Sequence, residues 1–249
     1  MSFNDKVVVV TGSSSGIGAA IAIKFAELGA KVTIVGRNEN KLENVAKKCN
    51  NPLVLVADVT KEGDLKKIVN ETVKHFGKLD ILVNNAGIGK PTTIIEENAM
   101  EAYTDVMATN LHSVVHLTHL AVPHIIKTKG NIVNISSVCG LTVSFKAGFP
   151  YQTSKAALDH FTRSIASELA SSGVRVNSVN PGPVKTDIFD NMGLPEPEAL
   201  WEEVKKKTAL GRFSDSEEIA DLVLFLAGES ARGITGSIFV TDNGVLVKA

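Results

Sequence analysis

The chain is 249 residues long with 44% hydrophobic and 21% charged residues, an ordinary globular composition that excludes a disordered or fibrous chain. Twenty-six basic residues against 27 acidic ones leave a net charge of −1, which excludes a generally basic nucleic-acid binder. Cys49 and Cys139 are the only cysteines, and neither a secretory pattern nor a membrane-length apolar run is seen, so a soluble, cytoplasmic protein with no disulfide framework is expected.

Val7-Val8-Val9-Val10 is a short, continuous β-branched run, as suits a strand buried on both faces of a parallel sheet. Similar runs at residues 31–35, 53–57, 81–83, 131–135, 175–179 and 237–241 bring the expected strands to seven. Helical patterns lie between them. Ile17, Ile21, Phe25 and Leu28 share one face, Asn38 is placed to cap a helix over residues 39–48, and Ser214 with Glu217 reads as a capping box opening a helix to about residue 227. Strand–helix alternation without a linker predicts an α/β fold, a single doubly wound domain over residues 1–249 with helices on both sheet faces. Residues 185–213 break the pattern. Gly193, Pro195 and Pro197 stand there among Phe189, Met192, Leu194, Leu200 and Trp201, as in a lid or an irregular surface element.

The first strand runs into Thr11-Gly12-Ser13-Ser14-Ser15-Gly16-Ile17-Gly18, which opens the first helix. Glycines there let the backbone turn sharply and approach a pyrophosphate, and the helix N-terminus offers free N–H groups to the anion. A connecting turn is the plainer reading, and the position at the first strand–helix junction argues against it. The second strand ends in Gly36-Arg37-Asn38, with no acid to accept from a ribose 2′-hydroxyl. Arg37 can instead fork onto a 2′-phosphate, or be a solvated charge. Asp58, after the third strand, can accept from an adenine amino group or start a helix, with Thr60 as a competing cap.

Tyr151 and Lys155 are four apart in a helix-like stretch, which puts phenol and ammonium on one face. An unperturbed phenol titrates near about 10, and a nearby ammonium lowers that value toward the range where proton exchange is efficient. Together with the glycine turn, Asp58-Val59, Asn84-Asn85-Ala86-Gly87, Asn110, Ser136-Ser137 and Pro181-Gly182, this resembles the classical short-chain dehydrogenase/reductase family over nearly the whole chain. The resemblance implies a Rossmann-type fold, a nicotinamide cofactor, commonly a homotetramer, and reduction of carbonyls or oxidation of secondary alcohols without metal. By position it implies that Tyr151 is the general acid/base and Lys155 its partner and a ribose ligand. It implies likewise that Ser137 holds the substrate oxygen, and that Asn110 holds a water relay near the lysine. Gly12, Ser14, Ser15, Gly16, Ile17 and Gly18, with Arg37, Asn38, Asp58 and Val59, fall to the cofactor. So do Asn84, Ala86 and Gly87 along the crevice, and Pro181, Gly182, Val184 and Thr186 around the nicotinamide.

Two departures stand out. Tyr151 follows Ser137 by 14 positions, one more than the family's commonest spacing, and Thr241-Asp242-Asn243-Gly244 carries Asn where the family usually has a second glycine. His112, His116 and His119 share a helix face, where exposed or interface imidazoles are favoured over a metal site. Lys205-Lys206-Lys207 reads as a solvated face and Cys139 as a small pocket residue. The expected activity is NADPH-dependent reduction of a ketone. An NAD-dependent alcohol dehydrogenase and a cofactor-binding regulator without turnover are the alternatives. Phe189, Met192, Leu194 and Trp201 on one side, and Cys139, Val143, Phe145 and Phe149 on the other, suggest an apolar substrate site. The same side chains could instead pack the 185–213 segment onto its own body or a neighbouring subunit.

Overall fold

The computed structural model describes residues 1–187 and 197–248, so Phe189, Met192 and Leu194 lie outside the described residues. Among them, seven parallel strands form one sheet: β1 (Val7–Thr11), β2 (Lys31–Gly36), β3 (Leu53–Val56), β4 (Ile81–Asn84), β5 (Asn131–Ile135), β6 (Arg175–Pro181) and β7 (Ile238–Thr241). Their spatial order is β3-β2-β1-β4-β5-β6-β7. The order reverses beside β1, which opens a crevice at the carboxyl ends of β1 and β4.

The longer helices are α1 (Gly16–Glu27), α2 (Glu39–Ala46), α3 (Glu62–Phe76), α4 (Ala99–Met107), α5 (Ser113–Thr128), α6 (Phe149–Leu169), α7 (Pro197–Lys206) and α8 (Ser216–Ala227). Every residue of β1 is buried, because its pleat feeds two cores. Val8 and Val10 join Ile21 and Phe25 of α1, Leu42 of α2, and Ile219 and Val223 of α8. Val7 and Val9 join Leu65 and Ile68 of α3, Leu117 and Ile125 of α5, and Ile165 of α6 on the opposite face. The unbroken β-branched run is thus the signature of a strand covered twice.

Asn38 caps α2 as its sequence suggests, accepting from the Lys41 N–H at 3.0 Å. The capping box of α8 sits one residue later than Ser214 and Glu217. Asp215 is the N-cap, and its N–H donates to the Glu218 carboxylate at 2.8 Å. Ser214 is held back by a bridge to Val184 and by accepting from the Asn243 amide at 2.9 Å. The α7 helix lies inside the segment that reads as irregular. Pro197 opens it, since a first-turn proline has the right φ and no N–H to leave unsatisfied. Asn243 takes a left-handed φ of 52°, which asparagine tolerates better than most residues, so the missing glycine does not prevent the turn.

Candidate active site

The crevice is a cleft of about 640 Å³. Its floor is the turn from β1 into α1, lined by Gly12, Ser14, Ser15, Gly16, Ile17 and Gly18. Gly12 has a φ of 65°, and a Cβ there would stand 2.8 Å from the Ala86 Cα. A Cβ on Gly18 would lie 2.4 Å from both the Gly12 carbonyl oxygen and the Asn85 amide nitrogen. The α1 N-cap, Ser15, makes no side-chain cap bond and the first turn carries no acid, so the helix presents free N–H groups and a positive dipole end. Ser13 faces inward instead, and its Oγ accepts from the Val35 N–H at 2.8 Å, which fastens the turn to β2.

Arg37 and Asn38 form the rim beyond β2, Asp58 and Val59 beyond β3, and Ala86 and Gly87 beyond β4. Partial burial pushes the Asp58 carboxyl up. The Thr60 N–H and hydroxyl, then Arg37 and Lys61, outweigh this and hold it below its ordinary value. Neither Asp58 nor Thr60 occupies the α3 N-cap position, which falls to Lys61. Lys41 and Asp187 also line the cleft and pair at 2.8 Å, joining α2 to the segment after Thr186.

Asn84 does not line the cleft. Its amide donates to the Asn134 side-chain Oδ1 at 2.9 Å and to the Thr118 hydroxyl at 3.3 Å, in an interior ladder between β4, β5 and α5. Asn85 lines it instead, donating to the carbonyl oxygens of Thr11 at 2.9 Å and Gly12 at 3.1 Å. The signal for this was present: if Asn84 points into the sheet interior, the period of two turns Asn85 the other way.

Ser137 lies two residues past β5, at the start of the Val138–Gly140 turn, while Tyr151 and Lys155 lie one turn apart on α6. The Lys155 Nζ donates to the Ile135 carbonyl at 2.8 Å and lies 5.6 Å from the Tyr151 ring centre. Asn110 is buried within a π-helical stretch, Ala108–His112. Its Oδ1 accepts from the Ile88 N–H at 2.8 Å, and its Nδ2 donates to the Ile88 carbonyl at 2.9 Å and the Ser154 hydroxyl at 3.1 Å. Gly87 joins the two regions: a Cβ there would be 3.4 Å from the Asn110 Oδ1 and 3.6 Å from the Lys155 Nζ. Pro181, Gly182 and Val184 run from the end of β6, past Ser137, toward Thr186 in the cleft. A Cβ on Gly16 would be 3.0 Å from the Thr186 methyl.

Burial pushes the Tyr151 phenol well above its ordinary value, Cys139 adds to this, and a hydrogen bond with the Ser137 side chain opposes it. Burial pulls Lys155 down to about 8, against Asp159 and Cys139, which push it up. The lowering of the phenol expected from the Tyr–Lys pair is therefore not met here. Loss of water around the phenolate outweighs a cation that is turned toward a backbone carbonyl.

Phe149 stacks on Tyr103 at 6.3 Å, and Trp201 meets Phe213 edge-on at 5.0 Å. Val143 is 85% exposed and Phe145 40% exposed. The His112 and His116 rings meet edge-on at 6.1 Å, and among the described residues no three His, Cys, Asp or Glu side chains gather to hold a metal ion. Among those residues no helix is long and apolar enough to cross a membrane.

A family model described as enoyl-(acyl carrier protein) reductase matches residues 12–246. The chain belongs to the short-chain dehydrogenase/reductase family. It is thus an oxidoreductase of alcohol and ketone groups that uses a nicotinamide cofactor. A Caenorhabditis elegans member of unknown function, solved with cofactor, superposes with a TM-score of 0.92 at 38% identity, covering 99% of this chain and 97% of that one. An L-fucose dehydrogenase of Bos taurus is 36% identical over 96% of this chain and 88% of its own length. A meso-2,3-butanediol dehydrogenase of Serratia marcescens is 33% identical over 98% and 96%.

Proposed function

We propose that this short-chain dehydrogenase/reductase is an NADP(H)-dependent carbonyl reductase that converts a ketone to a secondary alcohol, reversibly. The observation that carries the reading is the gathering of Ser137, Tyr151 and Lys155 with Asn110 beside Gly87, next to a glycine-floored cleft. The cleft fits a dinucleotide: Gly12 and Gly18 let the turn fold tightly against itself and the end of β4, where Cβ atoms would collide, and the uncapped α1 N-terminus suits a pyrophosphate. Arg37 stands at the rim where an acid would otherwise select the 2′-hydroxyl, which supports NADP(H) over NAD(H). Asp58 would accept from the adenine, and Pro181, Gly182, Val184 and Thr186 would hold the nicotinamide.

When bound, the cofactor supplies the hydride that reaches the carbonyl carbon. Tyr151 gives its proton to the carbonyl oxygen, and its raised pKa keeps that proton in place at neutral pH, as reduction requires. Ser137 holds the same oxygen. Lys155, with protons relayed past Asn110, recharges the phenol. Both Asn110 Nδ2 hydrogens are engaged, so a relay water at that point would donate to one of its oxygens. The reading takes residues 1–249 as one domain, with 185–213 over the substrate. It carries a homotetramer on the family resemblance, and a cytoplasmic setting on the two-cysteine composition that lacks a disulfide framework.

Tyr151→Phe tests the reading. The variant should fold and bind NADPH, while ketone turnover falls by about 10²–10⁴-fold, the span of general acid catalysis. Turnover near wild type would remove Tyr151 from the role. A panel of hydrophobic ketones with NADPH or NADH tests the rest, and NADPH binding without turnover of any member would favour a regulator. The names of the fucose and butanediol relatives favour a second reading, oxidation of a small polyhydroxylated alcohol. Higher kcat/KM on such alcohols than on bulky ketones would decide for it.

A further inference from the structure

Asp159 is a carboxylate only 2% exposed that takes no part in the chemistry above. It lies four residues after Lys155, so Tyr151, Lys155 and Asp159 follow one another up a single face of α6. Its Oδ1 accepts from the Ser178 hydroxyl at 3.2 Å and its Oδ2 from the Asn180 amide at 2.8 Å, both buried on β6. The same Asn180 amide donates to the Ser137 carbonyl oxygen at 3.0 Å. Ser136 adds a further hydrogen bond to Asp159 and donates to the Lys155 carbonyl at 3.2 Å. Gly140, in the turn after Ser137, leaves room for the carboxylate: a Cβ there would stand 2.8 Å from the Asp159 Oδ2.

We propose that Asp159 is a positioning residue, which ties the helix of Tyr151 and Lys155 to the strand end of Ser137 and supplies the buried counter-charge for Lys155. The inference rests on the proton-handling roles proposed for Tyr151 and Lys155. The titratable groups around this cluster are Lys155 and Tyr151 on α6 and Cys139 from the turn after β5; Ser136, Ser178 and Asn180 are neutral. Removing the carboxylate charge lets Lys155 lose its proton at lower pH, because the negative charge that favours the ammonium is gone. Tyr151 stays protonated across that range, so the change is read on Lys155.

The test follows Lys155 through the pH dependence of stability, in urea melts of the cofactor-free protein. The wild type should gain stability through this group from about pH 8 upward. Asp159→Asn should start that gain about one pH unit lower, the lower end of the effect of an adjacent charge. Loss of packing alone would lower stability at every pH and leave the onset in place, so an onset that stays put or rises overturns the proposal. If Asp159→Asn does not fold, Asp159→Glu keeps the charge and should keep the onset near the wild-type pH; an onset about one unit lower overturns the proposal. Ketone turnover retained by Tyr151→Phe would fail the underlying reading, whereas an unmoved onset beside an inactive Tyr151→Phe fails only this inference.

Discussion

The floor of the cofactor cleft is shaped by atoms that are missing. Gly12, Gly16 and Gly18 let neighbouring atoms pack where a Cβ would stand, and the helix start offers backbone N–H donors. The pocket between β5, α6 and β6 is shaped by side chains that are present. Ser136, Ser137, Lys155, Asp159, Ser178 and Asn180 are all buried and hydrogen-bonded to one another or to nearby carbonyls. A surface made by absence tolerates no addition, whereas a network made by pairing tolerates no loss. The two regions should therefore fail in opposite ways.

The sharpest break is an added methyl in the cleft. Gly18→Ala places a carbon 2.4 Å from a backbone oxygen, so α1 and the turn must part. Overpacking of this type costs about 1–3 kcal/mol, and here it falls on the phosphate cradle. NADPH affinity by calorimetry should fall at least about tenfold, with a lower Tm. Arg37→Asp comes next, because it touches only the rim. A charge-assisted phosphate bond of about 1.5–3 kcal/mol is replaced by repulsion, so kcat/KM with NADPH should fall about ten- to a hundredfold while NADH use is spared. Equal losses with both cofactors would detach Arg37 from cofactor choice.

The pocket offers a pH test. Lys155 titrates at about 8 in the folded chain and near about 10.4 when unfolded, so above pH 8 the unfolded state holds more protons. Stability of the cofactor-free protein should rise between about pH 8 and 10 through this group, and urea melts of Lys155→Met should lack that rise. Tyr151 acts only above that window, since its raised pKa adds a fall once unfolded phenols ionise near about 10. The smallest effect lies far from both regions. The Arg212 guanidinium, then the Asp215 N–H, hold Glu218 at about 2, so its contribution is present above about pH 4.5 and lost as the pH falls toward 2. The pair is exposed, so Glu218→Gln should lower the Tm only slightly above about pH 4.5, and the difference should vanish toward about pH 2.

This contrast also explains what could be read from the sequence. The seven strands and the glycine turn are local: β-branched runs and glycine spacing carry their own physics. Asn38 as a cap and the Tyr151–Lys155 spacing are local too. Asn84 and Asn85 could not be assigned by residue type, because both are amides and only the strand's facing separates them. The box at Asp215 was missed by one residue because Ser214 is claimed by Val184 and Asn243, distant in sequence. Asp159 gave no signal beyond its place one turn after Lys155. Its partners Ser178 and Asn180 arrive from another strand, and no spacing rule links them. The direction of the Tyr151 shift failed for a related reason, since burial is a property of the whole fold and not of a pair.

The packing of α1 against α8 has a consequence for the order in which the molecule is assembled. Ile21 and Phe25 share a core with Ile219 and Val223, and Lys24 donates to the Glu217 carbonyl at 3.0 Å, a contact spanning 193 positions. The helix whose first turn is proposed to cradle the phosphates therefore gets its back covered only when the residues of α8 have left the ribosome. Domains emerge N-terminus first, and contacts of long sequence separation close last. A nascent chain that holds the entire glycine turn still lacks a rigid cradle. Cofactor capture then reports completion of this fold, and the nicotinamide cofactor acts as a ligand that rewards only finished molecules.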